Sequence, residues 1–232
     1  MQVVFTYLPI RLKDVTEIYL KYSIKSLNEF GVTPIVYSDV DYFINDGLNY
    51  KWVKFDIDSK YKVDTLWSYP KLKVLSEISF PFIHLDNDLI VDNYIKLKNI
   101  IKPDKLNLGY KHPLTKIQTE HFSSIYKHYS DIPLEFDELN NTCIIATNNH
   151  TDINKTYSNV LNIIEINYDF FIQKYNGIPP ITLNQQYLNN YFNNINYLFN
   201  ENPAFEYLDT NGICHMAEKN MVSNFVINKR LI

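Results

Sequence analysis

Cysteine is nearly missing from this chain: Cys143 and Cys214 are the only two in 232 residues, and no CxxC spacing occurs. That excludes a disulfide framework and a structural zinc site of the usual spacing, and it points to a reducing, cytoplasmic compartment. Runs of lysine or arginine are missing too. With a formal charge of -4 and a pI near 5.9, the chain does not read as one that lives on phosphate backbones or anionic membranes. Nucleic acid is therefore not an expected partner. No stretch reaches the roughly 18 consecutive apolar residues of a membrane span, so a soluble chain is expected. The opening MQVVFTYLPI reads as a short β run, without the basic flank, apolar stretch and small-residue cleavage site of a secretory signal. Glycine-based nucleotide signatures are also absent. There is no GxGxxG, no GxxxxGK[ST] and no GxSxG, which leaves dinucleotide, P-loop and serine-hydrolase readings without support.

What is present is an alternation of strand-like and helix-like segments, on a length that suits one substantial core. VVFTYL is β-branched and aromatic. VTEIYLKYSIKSLNEFG carries Val15, Ile18, Leu20 or Tyr22, Ile24 and Leu27 near helical spacing and stops at Gly31. TPIVYSD reads as a second buried strand. DTLWSYPKLKVLSEI offers Asp64 or Thr65 as an N-cap and Leu66, Leu72, Leu75 and Ile78 as an apolar series, with Pro70 expected to shorten or kink the helix. FPFIHLDNDLIV follows as a third strand. This order predicts an α/β fold with a mostly parallel central sheet flanked by helices, whose ligands bind beyond the carboxyl ends of the strands. Further on, LNNTCIIATN reads as a strand, YSNVLNIIEINYDFFIQKY as one long helix and ITLNQQYLNNYF as another. The tail from Asn200 reads as irregular apart from a short last helix.

Two acids stand in the oily third strand. Residues two apart on a strand share a face, so Asp86 and Asp88 are expected on the same side, with Asn87 on the other. Two buried anions side by side raise each other's pKa and cost free energy unless a positive charge compensates them. A hard divalent cation, Mg²⁺ or Mn²⁺, does this with one or two protein carboxylates and completes its shell with phosphate oxygens and water. The pattern reads as a docking point for a metal-diphosphate.

HLDNDLIV behind YPKLK resembles the DxD region of nucleotide-sugar-dependent GT-A glycosyltransferases, particularly the glycogenin-like and bacterial galactosyltransferase group. Downstream, LNNTCII resembles that group's FNxGV segment, NQQYLN its DQDxLN, and ICHMAEK its C-terminal segment with a metal-binding histidine. The resemblance implies a single GT-A-like domain over residues 1–232, with a nucleotide-binding half at 1–95 and an acceptor-side half with a closing segment at 96–232. It implies a metal-dependent hexosyltransferase-like enzyme, with Mn²⁺ or Mg²⁺ as cofactor, a UDP-sugar as the expected donor, and a glycan or protein acceptor. It also implies that Asp86, Asp88 and His215 hold the metal, and that the tail returns to it. Asp86, Asn87, Lys71 and Lys219 fall on the donor side, Asn141 on the sugar or acceptor side, and Thr6 and Tyr7 at the uracil. Gln185 and Asn184 fall at the reacting carbon of the sugar. Lys73, two residues on, is as available as Lys71.

The departures from the pattern are definite. Asn184 replaces the first acid of DQD, Cys143 replaces the glycine of NxG, and Lys219 stands four residues after His215 in place of the usual HxxGxxK. An amide does not accept hydrogen bonds as a carboxylate does, so the first change bears on donor-sugar identity and efficiency. The alternatives are a member of the group that binds a nucleotide sugar without turnover and, further off, a nucleotidyltransferase, although TYLPIRLKD lacks the glycines of a triphosphate loop.

Overall fold

A computed structural model describes residues 1–8, 13–41, 47–79, 81–102, 105–109, 111–128, 138–140, 142–148, 153–175, 185, 188–193, 205–207 and 213–215. In chain order the elements are β1 (Gln2–Thr6), α1 (Lys13–Asn28), β2 (Ile35–Ser38), β3 (Lys51–Lys54), 3-10 turns at Ser59–Tyr61 and Asp64–Leu66, α2 (Tyr69–Glu77), β4 (Phe82–Leu85), β5 (Leu89–Val91) and α3 (Tyr94–Ile100). There follow β6 (Leu106–Leu108), β7 (Lys111–Pro113), α4 (Lys116–Tyr126), β8 (Glu138–Asn140), β9 (Ile144–Thr147), α5 (Ile153–Ile166), α6 (Tyr168–Tyr175), β10 (Phe205–Tyr207) and β11 (Ile213–His215).

Seven strands form the central sheet in the order β10-β6-β9-β4-β1-β2-β3. The pairs β1 with β2, β1 with β4, β2 with β3 and β10 with β6 are parallel, and β9 runs antiparallel to both β4 and β6. Strands from both sides of position 95 thus share one hydrogen-bonded sheet. Alternation along the strands divides the core in two. Val4, Phe82 and Ile145 join Leu72, Leu75, Tyr157, Val160 and Ile164 on one face. Val3, Phe5, Ile83, Leu85, Ile144 and Ala146 join Leu20, Ile24, Leu27 and Leu97 on the other. Both faces of the sheet are covered, as mostly parallel sheets require.

Local chemistry explains the element ends. In α1 the buried series is Leu20, Ile24 and Leu27, whereas Ile18 is exposed. The helix closes through Gly31 at a φ of +70°, a conformation in which a side chain is strained. Pro70 lies in the first turn of α2, where its missing N–H costs nothing, so it starts the helix instead of kinking it. Asp64 and Thr65 fall in the preceding 3-10 turn, and the N-cap position is Ser68. The free N–H of Ser68 donates to Asn189 Oδ1 at 2.8 Å, while Asn189 Nδ2 donates to the carbonyls of Thr65 at 2.9 Å and Gln185 at 2.8 Å. A fully buried amide from the second half of the chain therefore fixes where α2 begins.

Four further readings are corrected. The expected third strand is two, β4 and β5, because residues 86–88 leave the ladder in a turn. The long helix divides at Asn167, where the backbone N–H at 3.2 Å and the side-chain Nδ2 at 2.9 Å both donate to Ile163 O, so that α5 and α6 are separate elements. The tail, expected to be irregular, contributes β10 to the central sheet and β11 to a two-stranded sheet with β5. β3, a strand with lysine at either end, was not anticipated at all.

Replacing Asn189 by alanine strands a buried N–H and a buried C=O. The expected loss is about 2–6 kcal/mol of stability, taking roughly 1–3 kcal/mol per orphaned group. Urea unfolding should show a lower midpoint at an unchanged m-value.

Candidate active site at the carboxyl edge of the sheet

The turn after β4 is held from four directions. Asp86 N–H donates to Cys143 O at 2.8 Å, and Leu89 N–H closes the turn onto Asp86 O at 3.3 Å. Asn87 Nδ2 donates to Thr6 O at 2.9 Å, at the end of β1, and Ser23 Oγ of α1 donates to Asn87 O at 2.8 Å. Because these residues form a turn and not a strand, the expected two-apart alternation does not govern where Asp86 and Asp88 point. A different observation relates them. Burial pushes the Cys143 thiol up, and the charges of Asp86 and Asp88 both add to that rise while Lys71 opposes it. The charges of both carboxylates and of the ammonium are felt at the thiol.

Lys71 is the fourth tie. Its Nζ donates to Asp86 Oδ1 at 2.7 Å and to Thr142 O at 2.5 Å, with Thr142 Oγ1 at 3.5 Å. The lysine side chain is 10% exposed and the aspartate 33%. Lys73 is distinguished from it by geometry. It pairs along α2 with Glu77 at 2.5 Å on the helix surface.

Beneath this pair lies His84, which the sequence did not single out. Its Nε2 and Thr6 Oγ1 are 3.0 Å apart and share a hydrogen bond, and its Nδ1 is buried with no hydrogen-bond partner among the described residues. Burial first, and then the neighbouring Lys71 ammonium, push the imidazole down to about 3, with Asp86 pulling the other way. It is a neutral residue at neutral pH.

The other expected residues are placed as follows. Thr6 is buried at the end of β1, its hydroxyl committed to His84 and its carbonyl to Asn87. The Tyr7 ring is wholly buried with Phe5, Leu20 and Ile24, so at the strand end it supplies packing. Gln185 is 2% exposed and its Nε2 donates to Tyr175 O at 2.9 Å. That places it with Asn189, against the start of α2. Asn141, Asn184 and Lys219 lie outside the described residues. His215 ends β11, which runs antiparallel to β5 in the register His215 to Leu89, Cys214 to Ile90 and Ile213 to Val91. The tail thus returns to the residue that follows Asp88. Among the described residues no three His, Cys, Asp or Glu side chains converge as a metal-binding group.

No protein-family profile matches the chain, and no curated protein sequence is significantly similar to it. Several solved structures align with most of the chain. One is the galactosyltransferase LgtC in complex with donor and acceptor sugar analogues, at 12% identity over 90% of this chain and 74% of that chain, with a TM-score of 0.44. Mouse xyloside xylosyltransferase 1 is similar at 11% identity over 90% and 85%, with a TM-score of 0.44. The glycosyltransferase GlyE of Streptococcus pneumoniae is similar at 13% identity over 90% and 46%, again at 0.44. All three are glycosyltransferases. Likeness at this level assigns no activity.

Two outcomes follow from the geometry. Lys71→Met and Asp86→Asn should each destabilise the chain and should not add, with a coupling of about 1–3 kcal/mol in a double-mutant cycle by chemical denaturation. His84 carries fewer protons folded than unfolded between its native value of about 3 and the ordinary 6.5, so it subtracts stability as pH falls through that window. His84→Gln should flatten the acid loss, by at most about 1.4 kcal/mol per pH unit, in unfolding curves measured from pH 7 to pH 4.

Proposed function

We propose that the chain is a metal-dependent glycosyltransferase that takes its sugar from a nucleoside-diphosphate sugar, with a UDP-sugar as donor. The observation that carries this reading is the Asp86-Asn87-Asp88 turn. It is anchored to β1, α1, α2 and the segment before β9, it carries a buried ammonium on its first acid, and β11 lies beside the strand that leaves it. The order of the four sequence segments described above supports the same reading.

The donor set fits a hard divalent cation. Lys71 engages Asp86 through Oδ1, which leaves Oδ2 on a side chain one-third exposed, and Asp88 stands two residues on in the same turn. Asp86 and Asp88 would hold Mn²⁺ or Mg²⁺, with His215 as the third ligand. When bound, the cation supplies charge neutralisation for a departing diphosphate. Lys71 adds a fixed positive charge from a desolvated position, where it acts more strongly than in water. Asn87, tied to Thr6 and Ser23, keeps the turn from relaxing as the ligand's charge changes. The carboxyl edge of the parallel strands is where ligands of α/β sheets bind.

A second reading, a protein that binds a nucleotide sugar without transferring it, is favoured by Gln185. Its side chain is buried and bonded to the Tyr175 carbonyl. Transfer or hydrolysis measured with a panel of sugar donors separates the two.

Calorimetry is the direct test. UDP should bind much more tightly with Mn²⁺ than with chelator, because the two carboxylates otherwise repel the diphosphate. Asp88→Asn should reduce affinity in Mn²⁺ to the chelator level, with the melting temperature unchanged or slightly raised by relief of like-charge repulsion. Equal affinity in chelator would remove the metal from the account.

A further inference from the structure

The chain supplies a cation of its own to the first acid of the turn. Lys71 Nζ donates to Asp86 Oδ1 at 2.7 Å and to Thr142 O at 2.5 Å, so the ammonium has two strong acceptors from two segments. It is not free to swing out. The start of α2 is pinned by Asn189 on the Ser68 N–H, Leu72 and Leu75 of the same helix lie in the core, and the lysine side chain is 10% exposed. Withdrawing the ammonium would strand the Thr142 carbonyl and leave Asp86 uncompensated, a costly exchange in a desolvated place.

The charge balance follows. Asp86, Asp88 and Lys71 together carry one net negative charge, two acids against one ammonium. The same three charges are felt at the Cys143 thiol, the acids in one sense and the ammonium in the other. A bare divalent cation added to this group would turn it positive, and it would share a carboxylate with the ammonium, Oδ1 facing Lys71 and Oδ2 facing the ion. Two cations on one carboxylate repel, and poor solvation makes the repulsion stronger. A cation that arrives on a diphosphate brings negative charge in excess of its own. The ammonium then attracts the ligand as a whole.

We infer that Lys71 is a selectivity device, which excludes the bare divalent cation from the Asp86 turn and reserves the turn for a cation that arrives with its diphosphate. This rests on the metal-diphosphate reading of the turn. It also assigns the lysine a role that a merely structural ion pair would not have: removing its charge should improve the binding of one ligand, the bare ion.

Titration with Mn²⁺ in the absence of nucleotide, followed by the electron paramagnetic resonance signal of the free ion, tests the inference. The native protein should hold Mn²⁺ more weakly than UDP does in the same titration. Lys71→Met should hold the bare ion at least about tenfold more tightly than native, and Lys71→Arg, which keeps the charge, within about threefold of native. Mn²⁺ alone should also raise the melting temperature of Lys71→Met more than that of the native protein, because the ion replaces the partner that Asp86 has lost. Folding of Lys71→Met in Mn²⁺ but not in chelator is the same result in a stronger form, and Lys71→Gln carries the comparison if the methionine variant folds in neither. Three results overturn the inference: native protein that holds bare Mn²⁺ more tightly than UDP does, a neutral variant that gains nothing, or an arginine variant that gains as much as the neutral one. UDP binding to the native protein with and without Mn²⁺ judges the underlying reading separately. If UDP binding does not depend on the metal, that reading falls and this inference with it; if it does and the neutral variant gains nothing, this inference alone falls.

Discussion

The ammonium of Lys71, 10% exposed at its side chain, is tolerable only because Asp86 and the Thr142 carbonyl both accept from it at 2.7 and 2.5 Å. A buried cation without such partners costs several kcal/mol, on the order of 3–5 when one partner of a buried pair is removed. That requirement ties α2 to the turn after β4, 15 residues on, and to the segment entering β9, 71 residues on. Asn189 fixes the same end of α2 by accepting from the Ser68 N–H at its N-cap. His84 is kept neutral under the pair, and the Cys143 thiol beside it is kept protonated by burial and by the two acids. Burial sets the protonation of both neighbours, and the Lys71 charge adds to it at His84 and opposes it at Cys143.

The parts of this arrangement that were legible in the sequence are those set by periodicity. Leu20, Ile24 and Leu27 announce α1, and the apolar FIHL announces β4, because burial on a regular element leaves a regular pattern. What was not legible depends on contacts between distant segments. The choice of Lys71 over Lys73 required knowing that one side of α2 faces the turn while Lys73 meets Glu77 on the helix surface. Thr142 acts mainly through its backbone carbonyl, which no sequence pattern marks. Asp86 and Asp88 were found by their spacing, yet the strand geometry used to relate them does not hold in a turn. The tail was the least legible part: β10 and β11 are three residues each, and each exists by pairing with a strand already built.

The candidate site itself combines a rigid floor with an open acid. Strand ends β1 and β4 and helices α1 and α2 hold the turn, whereas Asp86 remains one-third exposed and β11 comes back beside β5. A turn tied on several sides to strand ends and helices is held more precisely than a free loop, which suits a site that must hold a departing diphosphate in place. Gln185 marks the boundary of this reading. Its buried bond to Tyr175 makes it part of the scaffold around Asn189, so transfer chemistry there would need that bond exchanged for one to the sugar.

A crystal structure with Mn²⁺ and UDP, phased to show the metal by its anomalous scattering, bears most directly on the central claim. The account predicts one peak within coordination distance of an Asp88 carboxylate oxygen and of the diphosphate, with Lys71 still at the turn. A nucleotide bound elsewhere on the chain, or a metal peak that touches neither Asp86 nor Asp88, would contradict it.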